Sequence, residues 1–332
     1  MKKIVILHSD ISTEASEDEL DCLRQAEVIS GAARVLGYEP VLLPFVLDLN
    51  QTIKELKTIN PFAVFNIVET LSGRGSLIHL APALLDYLKI PYTGCPTGAI
   101  FVTSNKPLAK KLLRASGIAT PDWLEQDGSF FQESSDEKYL IKSSWEHASV
   151  GLDENSLISH KSNNDLLAQM NRRQELLGGS CFAEAYIDGR EFNVALIAAA
   201  SGVRVLPIAE MIFRNYAEDK PKLVDYRAKW VADSFEYNNT IRKFDFAARD
   251  DKLLKSLQEI SLRCWKLFGL RGYARVDFRV DKNGKPWVLE INTNPCLSPD
   301  AGFAAALEQT KIEYTEAMEM IIADAFTGKR FT

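Results

Sequence analysis

Cysteine and histidine are scarce in this chain, with five and four copies in 332 residues. Cys22, Cys95, Cys181, Cys264 and Cys296 show no C-x-x-C spacing and the histidines are scattered, so neither a zinc site nor a disulfide framework is indicated. Positive charge is not in excess either. A net charge of −6 gives no support to a nucleic-acid partner, although a local basic pocket could still hold an anionic small molecule. Long apolar runs are missing, and nothing approaches the roughly 20 residues of a membrane span. The start, MKKIVILHSD, has only four consecutive apolar residues, too few for a signal-peptide core. The expectation is a cytoplasmic protein with no nucleic-acid or membrane partner. Internal repeats and low-complexity tracts are also absent. What is present is an ordinary globular composition, 46% hydrophobic and 25% charged. The length suits two or three domains and a sizeable core that needs no staples.

Strands and helices alternate early. Ile4 to Leu7 reads as a buried strand, followed by an acidic loop from Ser9 to Glu19 and a helix to about Leu36, stopped by Gly37. Val41 to Pro44 and Ala63 to Val68 read as further strands, and a helix ends near Leu88. This pattern predicts a parallel sheet whose ligands bind beyond the carboxyl ends of the strands. Ser104 to Ser116 reads as a helix, DGSFFQESSDEK as a loop, and Tyr139 to Lys142, Cys181 to Tyr186 and Phe192 to Ala199 as strands. Ala209 to Phe246 is long, charged and without clear periodicity, which suggests an irregular lid. Leu253, Leu257, Ile260, Cys264 and Leu267 form a helical core stripe, and two helices close the chain.

Between these lies YARVDFRVDKNGKPWVLEINTNP, Tyr273 to Pro295, which reads as strand, turn, strand. Asn283-Gly284 predicts a two-residue turn, since both positions tolerate positive φ. Lys282 then faces Lys285, Val280 faces Trp287, Phe278 faces Leu289 and Val276 faces Ile291. The opposite face sets Asp277 against Glu290 and Arg275 against Asn292. Opposed like charges destabilise a sheet. Two readings stay open. The acids are surface charges relieved by Arg275 and Arg279, or Asp277, Glu290 and Asn292 form a clamp of oxygen ligands about 5–7 Å apart. Hard oxygens suit Mg²⁺ held together with substrate phosphates.

The same segment resembles the metal-binding end of ATP-grasp ligases, specifically the D-alanine–D-alanine ligase group. IPYTGCPTGAIFVTSNKPLAKKLLRASGIATPDW, LIKSSWEHASVGL, FAEAYIDGREFNVAL and DYRAKW resemble further family segments, in the family's order. The resemblance implies an α/β chain: a parallel-sheet pre-ATP-grasp domain over 1–103, then a two-lobed α+β ATP-grasp fold, with a small lobe over 104–187 and a large lobe over 188–332. It implies that Lys106 and Lys142 contact ATP phosphates. Glu184 would lie near the adenine amino group, with backbone contacts from Ala185, Tyr186 and Ile187. Glu191 would hold the ribose and Lys229 the γ-phosphate. Asp277, Glu290 and Asn292 would hold two Mg²⁺ ions, or Mn²⁺. Arg275 would stabilise the acyl-phosphate and the tetrahedral intermediate, and Ser149 would help close the site. A carboxylate would attack ATP and an amine would then attack the acyl-phosphate, with water excluded by mobile loops over Ser143 to Gly151 and Asp219 to Asp245. Amino acids or small peptides would be the substrates, and a homodimer is expected.

The chain departs from the family pattern at its amino-acid half. The phosphate loop carries Trp145, Glu146 and His147 where the family has glycine and serine. Trp230 replaces a tyrosine, Cys296 replaces a glycine, and the N-terminal glycine-rich turn is absent. Glu69 or Glu17 could then bind a substrate ammonium, and His147 could serve substrate recognition or only loop packing. A thiol nucleophile at Cys296 finds no neighbour that clearly lowers its pKa. D-alanine used twice and a different amino-acid or peptide pair both remain open. So do two other activities on this scaffold, a small-molecule kinase and a nucleotide-binding regulatory protein.

Overall fold

The computed structural model describes residues 1–11, 15–131, 138–146, 149, 151–159 and 162–327. β1 (Lys2–Ser9), α1 (Glu17–Val35), β2 (Tyr38–Phe45), α2 (Leu49–Ile59) and β3 (Ala63–Ile67) open the chain. The three strands form a parallel sheet in the order β2-β1-β3. Ser16 and Glu19 close a capping box at the start of α1, and Gly37, at a φ of 81°, follows its end. The sequence pattern left α2 unassigned. Its signals are Asp48, whose side chain accepts from the amides of Asn50 and Gln51, and Asn60 in the left-handed region.

Then come α3 (Leu80–Leu88), α4 (Thr97–Ser104) and α5 (Lys106–Ala115). β4 (Trp123–Glu125), β5 (Phe130–Phe131), β6 (Lys138–Ser143), β7 (Leu157–Ser159) and, after α6 (Asn163–Arg173), β8 (Cys181–Ala185) make an antiparallel sheet. Its order is β5-β4-β8-β6-β7. A larger antiparallel sheet follows, built from β9 (Gly189–Ala199), β10 (Gly202–Val205), β11 (Ala209–Phe213), β12 (Thr240–Lys243), β13 (Tyr273–Asp281) and β14 (Pro286–Asn292). Its order is β12-β11-β9-β13-β14, with β10 also on β9. α7 (Tyr226–Trp230) and α8 (Phe235–Asn239) lie between β11 and β12, α9 (Asp251–Leu267) precedes β13, and α10 (Gly302–Glu308) and α11 (Tyr314–Asp324) come last. No helix among the described residues is long and apolar enough to cross a membrane.

Two expectations need correction. Ala209 to Phe246 is not one irregular stretch: β11 and β12 pair from Glu210 with Lys243 to Phe213 with Thr240, so residues 214–239 leave the sheet between two paired strands. Helices of five residues and strands of four or five are too short to print a period in the sequence. The hairpin turn also differs. Only Gly284 of the two turn residues has a positive φ, 79°. The turn runs from Asp281 to Gly284, and the Asp281 carboxylate accepts from the amides of Asn283 and Lys285. Phe278 therefore faces Val288, and Val280 faces Pro286. A bulge at Leu289 then restores the expected register, with Asp277 opposite Glu290 and Arg275 opposite Asn292.

The hydrophobic core crosses these sheets. Ile4, Ile6 and Phe65 of the parallel sheet share one cluster with Ile197 of β9 and with Phe303, Met318 and Ile321 of the last two helices. α4 and α5 pack their apolar faces against the large sheet through Ile100, Ala109 and Leu113.

Candidate active site

One cavity of about 560 Å³ is lined by Asp21 of α1, by Glu69 just beyond β3, by both antiparallel sheets and by the 214–239 segment. Sixteen of the seventeen described residues given a catalytic, nucleotide, substrate or metal role from the sequence line it. The exception is Glu17, which lies on the exposed first turn of α1 and pairs with Arg24, both side chains more than half exposed. Asp21, one helical turn further, lines the cavity instead.

At one end Glu184 of β8 lies between two lysines. Lys110 Nζ donates to its Oε1 at 2.6 Å and Lys142 Nζ to its Oε2 at 2.5 Å. Lys110 is 1% exposed, also donates to Thr120 Oγ1, and lies over the Trp123 ring. Burial lowers its pKa to about 8, against the pull of Glu184. The sequence reading missed Lys110, yet it sits four residues after Lys106 on the same face of α5, which is the signal that could have found it. Lys106 Nζ donates to the Glu146 carbonyl at 2.6 Å, and the Glu146 carboxylate accepts from the Gly75 amide. The bulky phosphate-loop residues thus have a use: Glu146 ties that loop to the N-terminal part of the chain. His147 lies outside the described residues.

Ala185, Tyr186 and Ile187 line the wall after Glu184. Glu191 pairs with Arg279 at 3.1 Å, across the β9–β13 register. On the same face, Asp277 accepts two N–H bonds from Arg275, at 2.7 and 2.9 Å, and one from Asn193 at 2.8 Å. The relief of the acidic face by arginine is therefore real, with Arg275 on Asp277 and Arg279 on Glu191, and the acids face a cavity. Asn193, another missed residue, is two positions after Glu191 and so shares its face. Glu290 and Asn292 line the cavity beside Asp277. Two carboxylates and an amide oxygen on one face fit a hard divalent cation. Among the described residues no three His, Cys, Asp or Glu side chains cluster to hold a metal unaided. The donor set thus fits Mg²⁺ only if substrate phosphates complete its shell.

The 214–239 segment bonds to several parts of the chain. Ser149, at a φ of 62°, donates from Oγ to the Val224 carbonyl at 3.0 Å. Tyr226 donates from its amide to Leu152 and from its hydroxyl to Asp18. Lys220 bridges Glu154 and Glu236, and Arg227 also holds Glu236. Burial opposes charge on Glu236, but hydrogen bonds from Lys220, its own backbone and Arg227 bring its pKa down to about 2. Lys229 and Trp230, at the end of α7, reach the cavity. Burial and the nearby Arg275 lower the Lys229 pKa.

The far end is less satisfied. Glu69 accepts one long side-chain bond, from Gln25 at 3.4 Å. Burial raises its pKa to about 7; the Gln25 bond lowers it and Asp21 and Asp18 raise it further. Cys296 Sγ donates to Asp21 at 2.9 Å. Burial, then Glu69 and Asp21, push the thiol pKa well above its ordinary value, which disfavours the thiolate a nucleophile needs.

The family described as "D-ala D-ala ligase C-terminus" matches residues 113–323. The D-alanine–D-alanine ligase of Aquifex aeolicus is 29% identical over 324 residues, covering 96% of this chain and 99% of that one. A crystal structure of the Bacillus anthracis D-alanine–D-alanine ligase complexed with ATP superposes with a TM-score of 0.72 at 20% identity, over 98% of this chain and 97% of that one. VanG D-Ala:D-Ser ligase from Enterococcus faecalis gives a TM-score of 0.70 at 18% identity, over 98% and 99%. The chain belongs to the D-ala D-ala ligase C-terminus family, and with it to the ATP-dependent ligases of the ATP-grasp fold.

Proposed function

We propose that this cavity joins two amino acids, or an amino acid and a small peptide, by forming an acyl-phosphate at the expense of ATP. One observation carries the reading: Asp277 and Glu290 stand opposite each other in one cavity with Arg275, Lys106, Lys142 and Lys229. Acids that repel and cations with anion-binding reach are what a triphosphate with its metal needs on opposite sides. A bound Mg²⁺ would neutralise charge on the β- and γ-phosphates, and Asp277, Glu290 and Asn292 would hold it. Lys142 exchanges Glu184 for phosphate, while Lys110 keeps the Glu184 charge compensated as it accepts the adenine amino group. The Ala185 and Tyr186 amides already donate to Asp122 and Lys138 carbonyls, so the hinge donor is the Ile187 amide. Glu191, held by Arg279, faces the ribose.

At the far end Glu69 and Asp21 receive the ammonium of the carboxylate substrate. Its carboxylate oxygen attacks the γ-phosphorus and ADP leaves. An uncharged amine then attacks the acyl carbon and phosphate leaves, with Arg275 donating to the developing oxyanion. The closed lid keeps water from the mixed anhydride. We infer a cytoplasmic site of action, where ATP and amino acids are supplied.

The test is a release assay over pairs of D- and L-amino acids and short peptides. ADP and phosphate should appear in equal amounts and only with both partners present. ADP without phosphate, together with a stable phosphorylated product, would instead make the protein a kinase.

A further inference from the structure

Arg279, on β13, lines the cavity with a side chain only 3% exposed. Its Nη1 donates to the Gly189 carbonyl at 3.1 Å. Its Nη2 lies 3.1 Å from Glu191 Oε2 and also donates to the Lys222 carbonyl, within the 214–239 segment. The guanidinium lies over the Tyr186 ring, 5.3 Å from its centroid, and the Tyr186 hydroxyl donates to the same Lys222 carbonyl at 3.5 Å. Phe213, the last residue before the segment, sets its ring 5.8 Å from the guanidinium. Two side chains of the nucleotide wall thus converge on one backbone carbonyl of the segment. One nitrogen joins that carbonyl to Glu191, the acid proposed above to face the ribose.

The segment is fastened from another side as well. Ser149 donates to the Val224 carbonyl, and the Tyr226 amide donates to Leu152. Leu223 and Val224, which follow Lys222, line the cavity. The hold on Lys222 therefore sets how this stretch covers the site. A ribose hydroxyl donates to a carboxylate with lone pairs to spare, so it adds to the Glu191–Arg279 pair without displacing it. Glu191 fixed in this way keeps Nη2 in place, and a charged donor makes the stronger kind of hydrogen bond to a carbonyl.

We propose that Arg279 is a positioning residue that couples seating of the nucleotide ribose to closure of the 214–239 segment over the cavity. The inference rests on the ligase reading for what closure protects. Under an unfastened segment water would attack the acyl carbon of the acyl-phosphate, returning the free acid and phosphate before an amine arrived. The coupling is reciprocal, so a fastened segment also tightens nucleotide binding.

The experiment is limited trypsin digestion of the full-length protein with Mg²⁺. It is run without nucleotide, with the imido analogue of ATP, and with the 2′,3′-dideoxy form of that analogue, both at saturation. Lys222 and Arg227 are exposed cleavage points within the segment. In the wild type the imido analogue should slow cleavage there by on the order of tenfold, a coupling of ordinary size. The dideoxy form should lose most of that protection. Arg279→Met should lose it with either nucleotide, and Arg279→Lys, which keeps a charge beside Glu191, should recover part of it. A purely structural Arg279 would instead speed cleavage by the same factor with and without nucleotide, and an intact protection ratio in Arg279→Met overturns the proposal. So does a wild type protected equally by both analogues or by neither, a comparison that needs no variant to fold. With the best pair from the release assay, Arg279→Met should release more phosphate than ligated product. Equal amounts from that variant count against the coupling. A wild type that turns over no pair removes the ligase reading and leaves the digestion to decide the coupling.

Discussion

The two ends of the cavity handle buried charge in opposite ways. At the nucleotide end each charge has a fixed partner: Glu184 between Lys110 and Lys142, Glu191 on Arg279, Asp277 on Arg275. At the amino-acid end Glu69 has one long amide contact and Arg242, which also lines the cavity, one backbone carbonyl. A site that keeps a ligand common to a whole family can be wired permanently. On the proposed reading, the other end keeps its charges in reserve for a zwitterion that would bring the counter-ions.

This contrast predicts where substitution costs stability and where it costs binding. The largest effect is expected from Asp277→Asn. Turnover should fall by about 10²–10³-fold, as when a group that stabilises transition-state charge is lost, while the melting temperature changes little because an amide oxygen there still accepts from Arg275 and the repulsion from Glu290 is relieved. Unchanged Mg²⁺-dependent turnover would remove Asp277 from the metal set. Next, Lys110→Met should lower stability by roughly 3 kcal/mol, since one partner of a buried pair is left behind. Urea denaturation measures this, and adding Glu184→Gln should recover part of the loss. If the single variant is as stable as the wild type, the nucleotide end is not wired as described.

The lid comes third. Glu236→Gln should cost about 2 kcal/mol at neutral pH, the roughly 3 kcal/mol of a carboxylate held down to about 2 discounted for solvent screening. A depressed folded-state pKa gives stability that is present above the ordinary carboxylate range and lost as pH falls through about 2. Melts of the two proteins should therefore converge as the medium is acidified.

The smallest effect carries the opposite sign. Glu69 is raised to about 7, so its contribution to stability is present below the ordinary carboxylate range and is lost as pH rises through that value. Glu69→Gln should stabilise the protein at pH values above it by about 1–2 kcal/mol, while weakening the ammonium-bearing substrate by roughly tenfold. Wild-type KM for that substrate should fall as pH rises through 7, and the variant should show no such inflection. A variant that loses stability instead would erase the distinction between the two ends.

The sequence carried the nucleotide end further than the amino-acid end, for a physical reason. Strand alternation places Asp277 with Glu290 whatever the details of the turn. It cannot count an inserted residue, so the bulge at Leu289 was invisible, although an apolar side chain beside Glu290 was its trace. Glu17 failed because the segment EASEDELD offers five acids, and only the helix phase separates an exposed first turn from Asp21 in the cavity. Arg242 sits on a four-residue strand that pairs only through β11, so its place in the cavity depends on tertiary packing that no local pattern reports. The lid residues faced the same obstacle: Tyr226 finds Asp18 across more than 200 positions of chain.

Phe303, Met318 and Ile321 complete the apolar cluster that begins with Ile4 and Ile6. During synthesis on the ribosome, the first sheet therefore emerges long before the helices that cover it. Until α11 has been made, that cluster is incomplete, and it closes only when the last helix packs against α1 and β9.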